Sequence, residues 1–426
     1  MITFRTIAGT ERFLFLQHMK IKIFFHYLPI LFRGRMSILR FITFLKRLLF
    51  FLSKLYHNKF IRYNGKTRLD LYVPNFPSPA FFTACDKFSV FGKKLPCVTA
   101  LVSVTSACRY NCPHCYQKRD RGKDIAIDLL LSAVRYLQDA GVAFFNIEGG
   151  EPFLVYDRLK QVCAAIDNRS EIWINSTGDA MTPERLSEIR QFNLTAMMFS
   201  LHTADPATLN RFMGTDNAWK NLERGVSLCH ETEIPVTFNT CVLKQDFFNG
   251  TFDRIMDKAR EFNGCLVQLI KPKPAGGRMD QGVERYSLEE HTRIATIVNR
   301  YNHDPAFRTY PPIAAQFLEE APKVFGCTAG GTDRFYINAK GDVQPCEFLN
   351  ISFGNIAKEP FPDIYQRMRD CFEKPGERWL CEAYAQKIRE LVGSESVLPL
   401  DQNKSKQIFD TWDRGKPTEL YQKVQG

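Results

Sequence analysis

CVTALVSVTSACRYNCPHCYQ, residues 97–117, holds the start of the fold and the start of the chemistry. Its first nine residues are β-branched and apolar and read as a strand. The following residues gather Cys108, Cys112 and Cys115 in a C-x3-C-x2-C spacing, with Pro113 forcing a turn. From here the chain alternates. IDLLLSAVRYLQDAG (127–141), TPERLSEIRQF (182–192) and AWKNLERGVSLCHE (218–231) are amphipathic and helical. FFNIE (144–148), EIWIN (171–175), TAMMFSLH (195–202), IPVTFNTCV (234–242) and CLVQLI (265–270) read as strands. Such alternation predicts parallel βαβ units, hence a barrel or a doubly wound sheet. The six repeats fall short of the eight of a complete barrel. In these folds chemistry sits at the C-terminal ends of strands, and the cysteine loop directly follows the first strand.

Three thiolates on one loop favour zinc or an iron–sulfur cluster. Zinc needs a fourth ligand, from His114 or a distant cysteine. A four-iron cubane held by three cysteines leaves one iron open to a small molecule. The chain has 13 cysteines, an odd and unevenly spaced set, and its first residues lack the pattern of a secretory signal. A reducing, cytoplasmic setting is therefore expected. The net charge is +11, but residues 1–66 hold thirteen Lys or Arg against one acid, Glu11. The remainder is close to neutral, which gives no support to an extended nucleic-acid surface.

Within that basic segment, MSILRFITFLKRLLFFLSKLY (36–56) carries Arg40, Arg47 and Lys54 seven residues apart, continuing from Arg33. On a helix this gives a narrow basic stripe and a wide apolar face. Two readings fit: a helix on an anionic membrane surface, or one packed on the main domain or a partner chain. Met36 is an alternative start. No uncharged apolar run reaches the length of a membrane span.

C-x3-C-x2-C followed by Tyr116 resembles the signature of the radical S-adenosylmethionine superfamily. The resemblance implies that Cys108, Cys112 and Cys115 hold a [4Fe–4S] cluster whose open iron binds S-adenosylmethionine. An external one-electron reductant would drive its cleavage to a 5′-deoxyadenosyl radical that abstracts hydrogen from an unactivated C–H bond. Tyr116 matches the aromatic that packs near the adenine. EGGEP (148–152) ends the second strand, and Gly149, Gly150, Glu151 and Pro152 match the GGEP motif, whose backbone meets the methionyl amino group. INSTGD (174–179) resembles a variable strand-end segment, making Asn175, Ser176 and Thr177 candidates for methionyl or ribose contacts. Ser200 falls at the strand-four position that touches ribose or carboxylate. His202 beside it reads as structural rather than as a base. Gln268 lies near the sixth strand's end, and KPAGGR resembles the segment leading out of the barrel.

A second pattern lies in GCTAGGTDRFYINAKGDVQPCEF (326–348), which reads as a β-hairpin with a Gly-containing turn. The run from Cys327 through Gly341 to Cys346 resembles the C-x(9–15)-G-x4-C signature of SPASM and twitch extensions. That resemblance implies an auxiliary [4Fe–4S] cluster, with Cys371 and Cys381 as candidates to complete it; the missing C-x2-C-x5-C-x3-C run favours the one-cluster twitch form. The expected organisation is α/β. A basic amphipathic helical arm (1–75) precedes a partial (β/α)6 TIM-like barrel (95–300). A small α+β cluster-binding domain (305–392) and a polar, mobile tail (393–426) follow. The expected substrate is a peptide, or a lipid-like molecule presented at the membrane. A non-catalytic iron–sulfur carrier and an RNA-modifying enzyme are the alternative classes.

Overall fold

The computed structural model describes residues 2–92, 94–372, 375–393 and 396–425. The N-terminal segment forms helices α1 (Gly9–Phe32) and α2 (Ile38–Ser53), the second capped by the Ser37 hydroxyl, which accepts from the Arg40 amide. A small antiparallel sheet accompanies them: β1 (Arg5–Ile7), β2 (Phe60–Tyr63) and β3 (Lys66–Arg68). Of the two readings of residues 36–56, packing prevails for most of the helix. Phe41, Phe44, Leu48 and Leu52 share one face and are buried. Their burial turns Arg47, from the supposed basic stripe, inward, where its guanidinium lies 4.8 Å from the Phe91 ring centroid. A chain started at Met36 would lack β1 and α1, whose Phe15, Met19, Ile23 and Tyr27 are buried. The tail is also not loose. Helices Gln402–Phe409 and Glu419–Gln425 form, and Leu420, Tyr421 and Val424 are buried in the same cluster as α2. Polar composition concealed this, because one short apolar face suffices to dock a terminal helix; residues 394, 395 and 426 of that segment lie outside the described residues.

The six expected strands are present and parallel, each beside its sequence neighbour: β4 (Thr99–Ser103), β5 (Phe144–Glu148), β6 (Glu171–Ser176), β7 (Leu194–Ser200), β8 (Val236–Cys241) and β9 (Leu266–Ile270). Period-two alternation sorts their side chains. Phe145 and Ile147, Ile172 and Ile174, Met197 and Phe199 join the helices in one core cluster. Phe144, Trp173, Ala196 and Leu266 pack with Ile61, Tyr63 and Leu71 from the N-terminal segment in another. Further along each strand, Glu148, Asn175 and Ser200 follow Phe144, Trp173 and Ala196 at intervals of two. The face that is apolar at one end is thus polar at the other.

Three strands lie beyond these six. β10 (Ile313–Ala315) pairs parallel with β9, while β11 (Arg334–Ile337) pairs parallel with β4 and antiparallel with β12 (Val343–Gln344). The expected hairpin is present, but it extends the barrel sheet rather than forming a sheet of its own. Arg334 lies opposite Thr99, at the N-terminal end of β4. Because β12 runs back, Cys346 also returns to that end, opposite to the cysteine loop.

Candidate active site

The loop after β4 is held at three points. The Asp124 carboxylate accepts from the Thr105 hydroxyl (2.6 Å) and the Ser106 amide (2.9 Å). The Gly150 and Glu151 amides donate to the Thr105 and Ala107 carbonyls, each at 2.8 Å, and the Gly277 amide donates to the Cys115 carbonyl at 2.9 Å. Glycine is required where the strand ends meet: a Cβ on Gly149 would press on the Thr105 carbonyl oxygen, and one on Gly150 would collide with that of Ala107. The GGEP segment therefore supports the cysteine loop directly. Glu151, fully buried, accepts from the Ser176 hydroxyl (2.9 Å) and from the Thr177 amide (2.7 Å) and hydroxyl (2.6 Å), joining the ends of β5 and β6.

Above this floor lies a cavity of about 360 Å³. Its wall includes Cys108, Cys112, Cys115, Tyr116, Gly149, Gly150, Asn175, Ser176, Thr177 and Ser200. Glu151 and Pro152 do not line it; they are buried beneath it. Gln268 lies elsewhere, donating to the Tyr72 hydroxyl at 3.2 Å. His202 accepts from the Cys241 amide through Nδ1 (3.1 Å), in keeping with a structural residue. His114 stacks on Phe212 with ring centroids 4.4 Å apart. Burial pushes the Cys112 and Cys115 thiols up to about 12 and about 11, and raises that of Cys108. Metal loading at this loop must displace protons.

Glu148 was not singled out from the sequence, although it opens EGGEP and shares the inward phase of β5. It is buried, accepting from the Tyr116 hydroxyl (2.7 Å) and the Asn175 amide nitrogen (3.0 Å). Desolvation first, and the Glu347 charge next, push its carboxyl up to about 8. The folded chain keeps this proton where the unfolded chain has lost it, so stability contributed by the protonated group falls as pH rises from about 4.5 to about 8. Glu148→Gln mimics the protonated carboxyl. Urea unfolding of metal-free protein should show the variant gaining on wild type, by a few kcal/mol at about 1.4 kcal/mol per pKa unit, between pH 5 and pH 8. Parallel pH profiles would exclude this.

Lys273 and Arg278, from the segment after β9, also line the cavity. Arg278 Nε and Asn175 Oδ1 are buried without a hydrogen-bond partner among the described residues. A cationic donor and an open acceptor beside three thiols fit a cluster together with a cofactor bearing carboxylate and ammonium groups.

The second set of cysteines divides. Cys327, Cys346 and Cys381 line one small cavity with Glu320, Arg334, Trp379 and Phe348. Cys371 does not join them. It ends the helix Phe361–Cys371, whose buried face is Phe361, Ile364 and Met368, and its charged neighbours are Arg414, Asp370, Asp410 and Lys94. Cys346 Sγ donates to Glu347 Oε2 at 3.0 Å, and the guanidinium of Arg334 pairs with Glu320 at 2.7 Å. The two sites are linked. Lys271 and Lys273 pair with Glu382, next to Cys381, at 2.8 and 3.0 Å, and Phe348 lines both cavities.

Comparison with known proteins agrees with this two-part organisation of the chain. Residues 102–259 match the family model of the Radical SAM superfamily, and residues 327–383 that of SPASM, an iron-sulfur cluster-binding domain. An AdoMet-dependent heme synthase of Nitratidesulfovibrio vulgaris is 23% identical over 284 residues, 62% of this chain and 77% of that protein. A PqqA peptide cyclase of Streptomyces rochei is 23% identical over 297 residues, 66% of this chain and 79% of that one. Among solved structures, Streptococcus suis SuiB bound to the precursor peptide SuiA superposes with a TM-score of 0.53 at 16% identity, covering 76% of this chain and 80% of that chain. The chain is a radical S-adenosylmethionine superfamily enzyme with a SPASM-type iron–sulfur domain, and its cofactors are [4Fe–4S] clusters and S-adenosylmethionine.

Proposed function

We propose that this chain removes a hydrogen atom from an unactivated C–H bond of its substrate, with S-adenosylmethionine bound over Cys108, Cys112 and Cys115. One observation carries this: the three cysteines share a cavity with Glu148, Asn175 and Ser200 at the C-terminal mouth of the parallel strands. When bound, the reduced cluster supplies one electron and S-adenosylmethionine supplies the 5′-deoxyadenosyl group that takes the hydrogen. The chain's own residues position and shield these partners. Gly149 and Gly150 hold the cysteine loop, Arg278 and Asn175 offer complementary polar contacts, and Glu148 with Tyr116 forms a buried wall. Cys327, Cys346 and Cys381 would hold an auxiliary cluster with one iron left open.

A peptide substrate is favoured by the likeness to a PqqA peptide cyclase and to SuiB with its bound peptide. A lipid-like substrate is the second reading, favoured by the apolar surface of the N-terminal helices. Anaerobic protein reconstituted with iron and sulfide should release 5′-deoxyadenosine from S-adenosylmethionine when reduced with dithionite. Intact clusters without release would instead favour an electron carrier.

A further inference from the structure

Helix α1 is apolar on two opposite faces. Phe15, Met19, Ile23 and Tyr27 recur every four residues and are buried in the protein. The reverse face carries Phe13, Leu14, Ile21, Phe25 and Phe32, all exposed, and the first turns of α2 add Ile38, Leu39 and Ile42. Exposure peaks around the turn between the helices, reaching 83% at Phe32 and 75% at Leu39. A continuous apolar surface of this kind marks an interaction site. Its surroundings are cationic. Lys20, Lys22, Arg33, Arg35 and Arg40 are exposed, and none has a carboxylate partner among the described residues. Glu11, the sole acid in residues 1–66, is paired with Arg5 and Arg62.

We propose that the α1–α2 hairpin lies on an anionic lipid bilayer, its apolar face against the acyl chains and its basic side chains at the level of the phosphates. Three observations select this partner. The apolar residues run along the outside of a helix for roughly 30 Å, a convex strip that suits a planar boundary. A second copy of the chain would bring a segment of the same strong positive charge against the first. No helix among the described residues is long and apolar enough to cross a membrane, so the hairpin lies in the interface. The surface belongs to α1 and the start of α2 rather than to the whole of residues 36–56, whose later turns are packed inside.

Flotation of the full chain with vesicles tests this directly. Wild type should float with phosphatidylcholine vesicles containing phosphatidylglycerol, weakly with pure phosphatidylcholine, and less as salt rises. The double substitution Phe25→Glu with Phe32→Glu changes only exposed side chains, so its circular dichroism and melting should match wild type while partitioning falls at least about tenfold. Absence of binding by wild type would overturn the proposal, as would undiminished binding by the double variant. So would a wild-type dimer in sedimentation that the same substitutions dissociate, which would assign the face to self-association. The assay reads binding without turnover, so its failure is distinct from failure of the proposed reaction.

Discussion

Cys112→Ala protein, reconstituted without oxygen and reduced with dithionite, is expected to release no measurable 5′-deoxyadenosine, a loss of at least about a thousandfold. The middle thiol of the trio cannot be replaced from nearby. Cys112 is half-buried with its Sγ 3.3 Å from the Met213 carbonyl oxygen, while His114 is held in a stack with Phe212. Removing one of three thiolates leaves too few ligands to retain a cubane with an open iron. Iron should drop by about four atoms per chain, leaving the auxiliary complement, and melting of the metal-free protein should hardly change. Retained turnover would remove the cluster from this loop.

Cys346→Ala and Cys381→Ala should each do the reverse: about four irons lost per chain with 5′-deoxyadenosine release retained, and turnover of the true substrate lost. Cys371→Ala should leave iron content unchanged. The contrast is sharp because Cys371 and Cys381 were alike candidates to complete the set begun by Cys327 and Cys346. Cys346 and Cys381 share a cavity with Cys327, whereas Cys371 sits among Asp370, Asp410 and Arg414 at a helix end. Loss of iron from Cys371→Ala equal to that from Cys381→Ala would refute this division.

Local order made much of the chain legible. All six parallel strands follow from short apolar runs that alternate with helical stretches, and the cysteine loop and EGGEP fall where such strands end. What stayed hidden depends on partners distant in sequence. β11 joins β4 across more than two hundred residues, and no local pattern announces that pairing. Glu148 shares a phase with Phe144 on β5, so its inward direction was readable, but its contact with Tyr116 required the fold. Arg47 kept perfect register with Arg40 and Lys54 and still went inside, because burying Phe44 and Leu48 outweighs leaving one guanidinium in water when an aromatic ring receives it. The choice between Cys371 and Cys381 turned on which of them the tertiary fold brings into the cavity with Cys327, which spacing does not encode.

The in-register pairing of β4 with β11 makes a ruler. The cysteine loop leaves the far end of β4 and Cys346 returns beside its near end, so the rise of Thr99–Ser103, about 13 Å, separates the two candidate sites along the sheet. Because the ruler is one hydrogen-bonded strand pair and not a hinge, the fold itself fixes the separation of the two candidate sites. What joins the two ends is a short chain of side chains: Phe348, which lines both cavities, has its ring centroid 5.9 Å from that of Tyr116, and Tyr116 donates to Glu148.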